Sequence, residues 1–377
     1  MFADRRSFLA GAGIAAGMSS VPVFAQQGAV KPLAAETSAF GPAAGQALLS
    51  RNENPYGPAP SALQAIADTA NMGCYYADRG VARLRDMIAE RHGVSPRQVV
   101  IGSGSTEILS AIALAWGQEG AILCPDLFWD TTVQYGERQG AKAVRVPLAP
   151  DMGVDLGGME AAIGDGVSLI QICNPNNPTG MVIDNAALRA FATKVIPHAT
   201  LLVDEAYNEL TDDPSGNSLV DLVRAGEDVI ICRTFSKIYG MAGMRVGYAI
   251  ASEANAERIG GYLMSFGGNV SGLAGAIASY NDAAFLAQSK AMILEGRQMI
   301  LDAVGKAGLT ALPSQTNFVY VEVPDADAVQ QAMASRNISI RGAYGPWKQY
   351  SRVSTGKIED VARYAAALPE IMGELTG

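Results

Sequence analysis

The sequence predicts an α/β protein: a large domain on a mostly parallel sheet covered on both faces, with a smaller α+β domain beside it. Three observations lead there. Short apolar runs bounded by Gly, Pro, Asn or Asp recur through the middle of the chain, separated by helix-length segments, which is the rhythm of βαβ units. The length of 377 residues exceeds what one small core organises, so two domains are the natural arrangement. The polar residues with reactive potential fall at the carboxyl ends of the apolar runs, where open α/β sheets bind ligands.

Residues 1–25 read as an export signal. Asp4-Arg5-Arg6-Ser7-Phe8-Leu9 carries a twin arginine, residues 10–18 are weakly apolar, and Val23-Phe24-Ala25 is a small-x-Ala cleavage site. The apolar stretch is too short and too Gly-rich to span a membrane. Such a signal exports proteins that have already folded. It predicts a periplasmic or secreted location, or a cytoplasmic one if the signal is not used. Residues 26–47, rich in Ala, Gly and Pro, predict a flexible linker.

A helix is expected from a Ser61 cap to about residue 71, and a second over 81–92 with Gly93 as its stop. Seven apolar runs at 99–103, 121–124, 143–147, 169–173, 201–203, 229–232 and 246–250 predict a seven-stranded sheet. The last run follows Arg245 after a short loop and is free to run antiparallel. Beyond it the pattern changes to a long helical region over 273–307 and an alternating strand over 318–323. A helix near 326–335 and short strands at 338–341 and 352–354 complete it. These segments predict a small domain from 48–72 and 271–377 and a large one from 73–270. No internal repeat is present.

Composition excludes several function classes. Lys and Arg number 28 against 37 Asp and Glu, a net charge of −9, which argues against nucleic acid or an anionic membrane as partner. The only histidines are His92 and His198, so a multi-histidine metal site is ruled out, no metal is expected, and a Ser-His-Asp triad has little support. If the chain is an enzyme, something other than imidazole moves the proton. Cys74, Cys124, Cys173 and Cys232 show no framework spacing, and buried free thiols are expected.

Lys237 has the most telling company. It sits in Thr234-Phe235-Ser236-Lys237 directly after an apolar run, and a lysine at a strand end can form a Schiff base with a carbonyl once burial lowers its pKa. Asp204 ends the run Leu201-Leu202-Val203, where a carboxylate is costly unless paired. Opposite a pyridine nitrogen it would hold that nitrogen protonated. Tyr207 and Asn177, the latter within Asn174-Pro175-Asn176-Asn177-Pro178-Thr179-Gly180, can both hydrogen-bond a phenolic oxygen. Gly102-Ser103-Gly104-Ser105-Thr106-Glu107 follows a strand and opens a helix, so free N–H groups and the hydroxyls of Ser105 and Thr106 offer a phosphate seat. Alone that motif is more often a simple helix cap. Ser236 and Arg245 can reach the same phosphate, and arginine presents the fork that phosphate oxygens fit. Together these residues are what pyridoxal 5′-phosphate needs.

The motifs resemble fold-type-I aminotransferases of class I/II, and within them the histidinol-phosphate aminotransferase family. Arg51-Asn52-Glu53-Asn54-Pro55-Tyr56-Gly57-Pro58 is similar to that family's N-terminal signature, and the motifs around Asn177, Asp204, Lys237 and Arg245 follow in order. The resemblance covers about residues 48–375. It implies that Lys237 anchors the cofactor and then carries the proton, that Asp204 pairs with the ring nitrogen, and that Asn177 and Tyr207 hold the phenolic oxygen. Ser105, Thr106, Ser236 and Arg245 would bind the phosphate, and Phe128 or Trp129 would stack on the ring. Tyr76 resembles a tyrosine lent by a second subunit, which implies a homodimer, although Tyr76-Ala77 stands where the family has Tyr-Pro. Arg352 would grip the substrate carboxylate. Arg341 matches a position used for a distal phosphate, in surroundings (Gly342 to Trp347) that depart from the family. Tyr344 and Trp347 there can narrow the entrance, favour an aromatic side chain, or pack on the surface. Asn54 and Asn177 complete the substrate-binding set.

The expected activity is ping-pong transamination between an amino acid (or amino-alcohol phosphate) and a 2-oxo acid. An export signal sits poorly with cytoplasmic histidine synthesis, so another amine or amino acid is expected as substrate. Two alternatives stay open: another pyridoxal-phosphate reaction on this scaffold, such as decarboxylation, racemisation or β/γ-replacement, and a non-catalytic ligand-binding protein.

Overall fold

A computed structural model describes residues 39–376. The twin-arginine segment and most of the expected linker lie outside the described residues. Residues 39–44 form exposed bends and turns, and a single compact unit begins at Gly45. Its strands are β1 (Ala47–Leu48), β2 (Val99–Gly102), β3 (Ala121–Pro125), β4 (Ala143–Val146), β5 (Val167–Cys173) and β6 (Thr200–Asp204). Then come β7 (Val229–Thr234), β8 (Gly247–Ile250), β9 (Phe318–Glu322), β10 (Ile338–Ser339) and β11 (Tyr350–Ser354). The helices are α1 (Pro60–Thr69), α2 (Asp78–His92), α3 (Ser105–Gly117), α4 (Thr131–Arg138), α5 (Leu156–Ala161) and α6 (Asn185–Val195). They continue as α7 (Val220–Arg224), α8 (Glu253–Gly260), α9 (Val270–Ser279), α10 (Ala283–Lys306), α11 (Ala326–Ser335) and α12 (Ile358–Thr376).

The expected seven-stranded sheet forms in the order β2-β8-β7-β6-β5-β3-β4. Only β8 is antiparallel to its neighbours. Because β8 runs backwards, its first residue Gly247 pairs with Thr234 at the carboxyl end of β7, and Arg245, two residues before it, lies at the edge where the parallel strands end. The apolar runs are nearly continuous because both faces are buried. Ile170, Ile172, Leu201, Val203, Val229 and Ile231 enter one cluster with side chains of α2 and α6. Their in-between neighbours Leu169, Leu202, Ile230 and Cys232 enter a second cluster with α3 and α8. A third cluster joins β1, β9 and β11 to α10, α11 and α12. Here β9 pairs antiparallel with β11, and β1 pairs parallel with β10.

Several local expectations are corrected. The first helix starts at Pro60 with Ala59 as its cap and no side-chain cap bond; the Ser61 hydroxyl instead donates to Asp282 Oδ2 at 2.8 Å. The second begins at Asp78, three residues earlier than its apolar periodicity indicates, and ends as expected at left-handed Gly93. The helical region over 273–307 is two helices, because the Asp282 carboxylate accepts from Phe285 N–H and caps a fresh start. Ala47, read as the end of the linker, is a buried strand residue paired with Ile338. Of the four free cysteines, Cys74 is exposed while Cys124, Cys173 and Cys232 are buried. Among the described residues, no helix is long and apolar enough to cross a membrane.

Candidate active site

A cavity of about 750 Å³ opens along the edge formed by the carboxyl ends of β2, β3, β5, β6 and β7. Ser105, Thr106, Phe128, Asn177, Asp204, Tyr207, Ser236, Lys237, Arg245, Arg341 and Arg352 all line it. The register of the sheet explains this convergence. Cys173 and Cys232 stand beside Asp204 on its two neighbouring strands, so the loops carrying Asn177 and Lys237 leave the sheet on either side of it.

Asp204 is buried, and among the described residues its one side-chain bond is from the Ala206 N–H at 3.2 Å. It makes no ion pair among the described residues, and burial pushes its carboxyl up to about 7. The Lys237 ammonium donates to the Asn52 carbonyl at 3.2 Å and lies 5.5 Å from the centre of the Tyr207 ring. Burial, with the nearby Arg352 charge, pulls it down to about 8. The Tyr207 phenol is buried, and burial pushes its pKa up, so it stays protonated. Its oxygen accepts from Asn52 Nδ2 at 3.1 Å and Asn177 Nδ2 at 3.5 Å.

Arg352, on β11, donates from Nη1 to Asn177 Oδ1 and from Nη2 to the Ser50 carbonyl, both at 2.7 Å. Its Nε is buried without a partner. No carboxylate offsets its charge among the described residues. Arg245 donates from Nη1 to the Ala242 carbonyl at 2.8 Å and likewise has no acidic partner among the described residues. It adopts a left-handed backbone (φ 55°) that turns it back under the start of α3. That start is Gly104, with φ 78° and no side-chain cap. A Cβ on Gly104 would collide with the Arg245 guanidinium, so glycine is required for the close approach. The first-turn N–H groups of α3 have no intrahelical acceptor, and they sit beside Ser105, Thr106 and Arg245.

These residues fit pyridoxal phosphate on their own chemistry. A buried carboxylate with one backbone donor suits a protonated ring nitrogen. An uncapped helix start with an unpaired arginine suits a phosphate, and a buried amine with a lowered pKa suits a carbonyl carbon. Phe128 is buried beside the cavity, and Trp129, half-buried, lines it too.

Not every expected residue joins the site. Asn54 does not line the cavity. Its Nδ2 donates to the Ile238 carbonyl at 2.9 Å and Ser289 Oγ at 2.8 Å, so it supports the turn after Lys237. Tyr76 is 76% exposed, its ring 4.6 Å from that of Phe266, and lies outside the cavity lining of its own chain. Arg341 is exposed at the outer rim with its guanidinium 5.0 Å from the Tyr344 ring centre. Tyr344 and Trp347 also line the cavity. The residue that sequence reading passed over is Asn52, which lines the cavity and bonds Tyr207. It was visible in the signature Arg51–Pro58, but nothing in the string says which of its two asparagines faces inward.

The aminotransferase class I and II family model matches residues 44–368. The histidinol-phosphate aminotransferase of Brevibacillus brevis is 34% identical over 332 residues, covering 86% of this chain and 90% of that protein. Histidinol-phosphate aminotransferase 1 of Thiobacillus denitrificans is 35% identical, covering 87% and 86%. The structure of the Sinorhizobium meliloti histidinol-phosphate aminotransferase in complex with pyridoxal-5′-phosphate superposes with a TM-score of 0.79 at 33% identity, covering 87% and 91%. The chain belongs to the class I and II family of pyridoxal-phosphate-dependent aminotransferases.

Proposed function

We propose that this aminotransferase works at the cavity around Lys237, on an amino acid or related amine and a 2-oxo acid, as an exported homodimer. One observation carries the reading: within a single cavity a carboxylate (Asp204), an amine (Lys237) and two guanidiniums (Arg245 and Arg352) lack counter-ions among the described residues. Buried charges without partners are costly to folding, and a ligand offsets that cost.

Bound there, the cofactor supplies an electron sink that stabilises negative charge at the substrate α-carbon. Lys237 Nζ would hold it covalently and, as a free amine, would take and return the α-proton. The pKa of about 8 keeps enough neutral amine near neutral pH for that work. Asp204 would keep the ring nitrogen protonated, while Tyr207 and Asn177 would hold the phenolic oxygen. Ser105, Thr106, Ser236 and Arg245 would hold the phosphate. Phe128 would pack on the ring. Arg352 would bind the carboxylate common to amino and 2-oxo acids through the hydrogens of its fork that Asn177 and Ser50 leave unbonded. Arg341, at the rim beside Tyr344, meets the distal part of the substrate.

The homodimer draws support from the exposed Tyr75, Tyr76, Met264 and Phe266, which leave an apolar face uncovered beside the cavity's phosphate end, with Tyr76 as the residue lent to the partner. Export rests on Arg5-Arg6 and Val23-Phe24-Ala25. Histidinol phosphate is a substrate by name for the relatives; for an exported enzyme with an altered rim after Arg341, another amine is the better substrate. A panel of amino donors with several 2-oxo acids, run on purified protein reconstituted with pyridoxal phosphate, tests the activity through loss of the cofactor's visible band and appearance of a new oxo acid. No exchange with any pair overturns it. Robust rescue of a histidine-requiring strain by the unexported protein overturns the substrate part.

A further inference from the structure

Asn52 bonds to three parts of the site at once. It is 2% exposed and holds a left-handed backbone, φ 57°, which a non-glycine residue keeps only when its surroundings demand it. Those demands are visible. Its N–H donates to Ser354 Oγ at 3.0 Å, and the Ser354 hydroxyl donates back to Asn52 Oδ1 at 2.6 Å. Its carbonyl accepts from Lys237 Nζ at 3.2 Å and Asn317 Nδ2 at 3.0 Å. Its Nδ2 donates to the Tyr207 hydroxyl at 3.1 Å.

The directions of these bonds carry the argument. Ser354 occupies Oδ1, so the amide nitrogen is the atom left to face Tyr207. The Asn177 amide is fixed in the same sense, because Arg352 Nη1 holds its Oδ1 at 2.7 Å and turns its Nδ2 to the same phenol at 3.5 Å. Tyr207 oxygen thus has a donor at each lone pair. No acceptor for its own hydrogen is found among the described residues, and the residue lines the cavity.

We propose that Asn52 is a positioning residue: it saturates the acceptor side of Tyr207, so that the phenol hydrogen is donated into the cavity, to the cofactor's phenolic oxygen. Through Ser354, two residues along β11 from Arg352, it also ties that orientation to the strand that grips the substrate carboxylate. The inference rests on the role given to Tyr207 above.

The test reads the pH midpoint of the bound cofactor's visible absorbance in the holoprotein. A hydrogen bond donated to the phenolic oxygen favours its anionic form and lowers the midpoint; losing the bond raises it. Asn52→Asp keeps the shape but replaces the donor with an acceptor that draws the Tyr207 hydrogen to itself. Asn52→Gly keeps the left-handed backbone and both main-chain groups, removes only the amide, and carries the test if the aspartate variant does not hold cofactor. The expectation is that Tyr207→Phe and Asn52→Asp each raise the midpoint by about one unit, and Asn52→Gly by less. In the Tyr207→Phe background neither Asn52 change adds a further shift, as required of residues acting through one another. A merely structural or charge effect of Asn52 would add in full on Tyr207→Phe, and that result overturns the proposal. Midpoints unchanged in both Asn52 variants, with Tyr207→Phe shifted, also overturn it. An unshifted Tyr207→Phe instead overturns the role of Tyr207, and this inference with it.

Discussion

Asp204 and Glu205 are adjacent carboxylates at the end of one strand, and their surroundings differ completely. Glu205 accepts from Arg233 Nε and Nη2 at 3.0 and 2.7 Å, from the Ser218 hydroxyl at 2.9 Å and from the Leu219 N–H at 3.0 Å. Asp204 accepts one backbone N–H. Alternation along the strand sends one side chain behind the sheet and the other to the cavity edge. Behind the sheet four donors converge on the Glu205 carboxylate and the Arg233 guanidinium offsets its charge, as a buried charge requires. At the edge Asp204, Lys237, Arg245 and Arg352 all hold bonding capacity in reserve. The paired cluster ties β6 to β7; the unpaired one is the proposed seat of the chemistry.

Substitutions on the two sides separate these roles. The largest expected effect is on the cavity side: Lys237→Ala removes anchor and base together and lowers turnover by roughly 10⁴-fold or more. Its melting temperature without cofactor does not fall, because a buried amine held at about 8 is removed. Asp204→Asn lowers kcat/KM by about 10³-fold, yet urea unfolding of its cofactor-free form changes by less than about 1 kcal/mol. Arg233→Ala reverses that pattern. It strands the Glu205 carboxylate and costs about 3–5 kcal/mol in the same unfolding measurement. Arg352→Lys loses the fork, costing about 2–3 kcal/mol in kcat/KM at constant fold stability.

The smallest effect is a dependence on pH. Lys237 has a folded pKa of about 8 against an ordinary lysine value of 10.5. Between those values the unfolded chain binds more protons than the folded one, so the cofactor-free protein gains stability as pH rises through that window. Comparing wild type with Lys237→Met across pH 8 to 10.5 isolates a slope of at most about 1.4 kcal/mol per pH unit. Equal slopes contradict the burial argument.

Much of this division is legible in the sequence. A strand buried on both faces shows as an unbroken apolar run, which is why all seven runs become strands of one sheet. A charged residue at the end of such a run has few cheap environments, so Asp204, Lys237 and Arg245 stand out without coordinates. What is not legible depends on backbone direction. Asn52 and Asn54 are two residues apart in one motif, and only the left-handed turn at Asn52 brings its amide to Tyr207, leaving Asn54 to hold the Ile238 carbonyl. The break between α9 and α10 hides in a helix-like composition until Asp282 is seen accepting from Phe285 N–H. Arg233 reads as one more residue of a strand; its pairing with Glu205, 28 positions earlier in the chain, is set by register.

The most direct test of the account is where the cofactor attaches. Purified protein is incubated with pyridoxal phosphate, reduced with borohydride and mapped by peptide mass spectrometry. The account predicts a single modified site at Lys237, lost in Lys237→Ala. Stable stoichiometric labelling of another lysine, or none on Lys237, contradicts it.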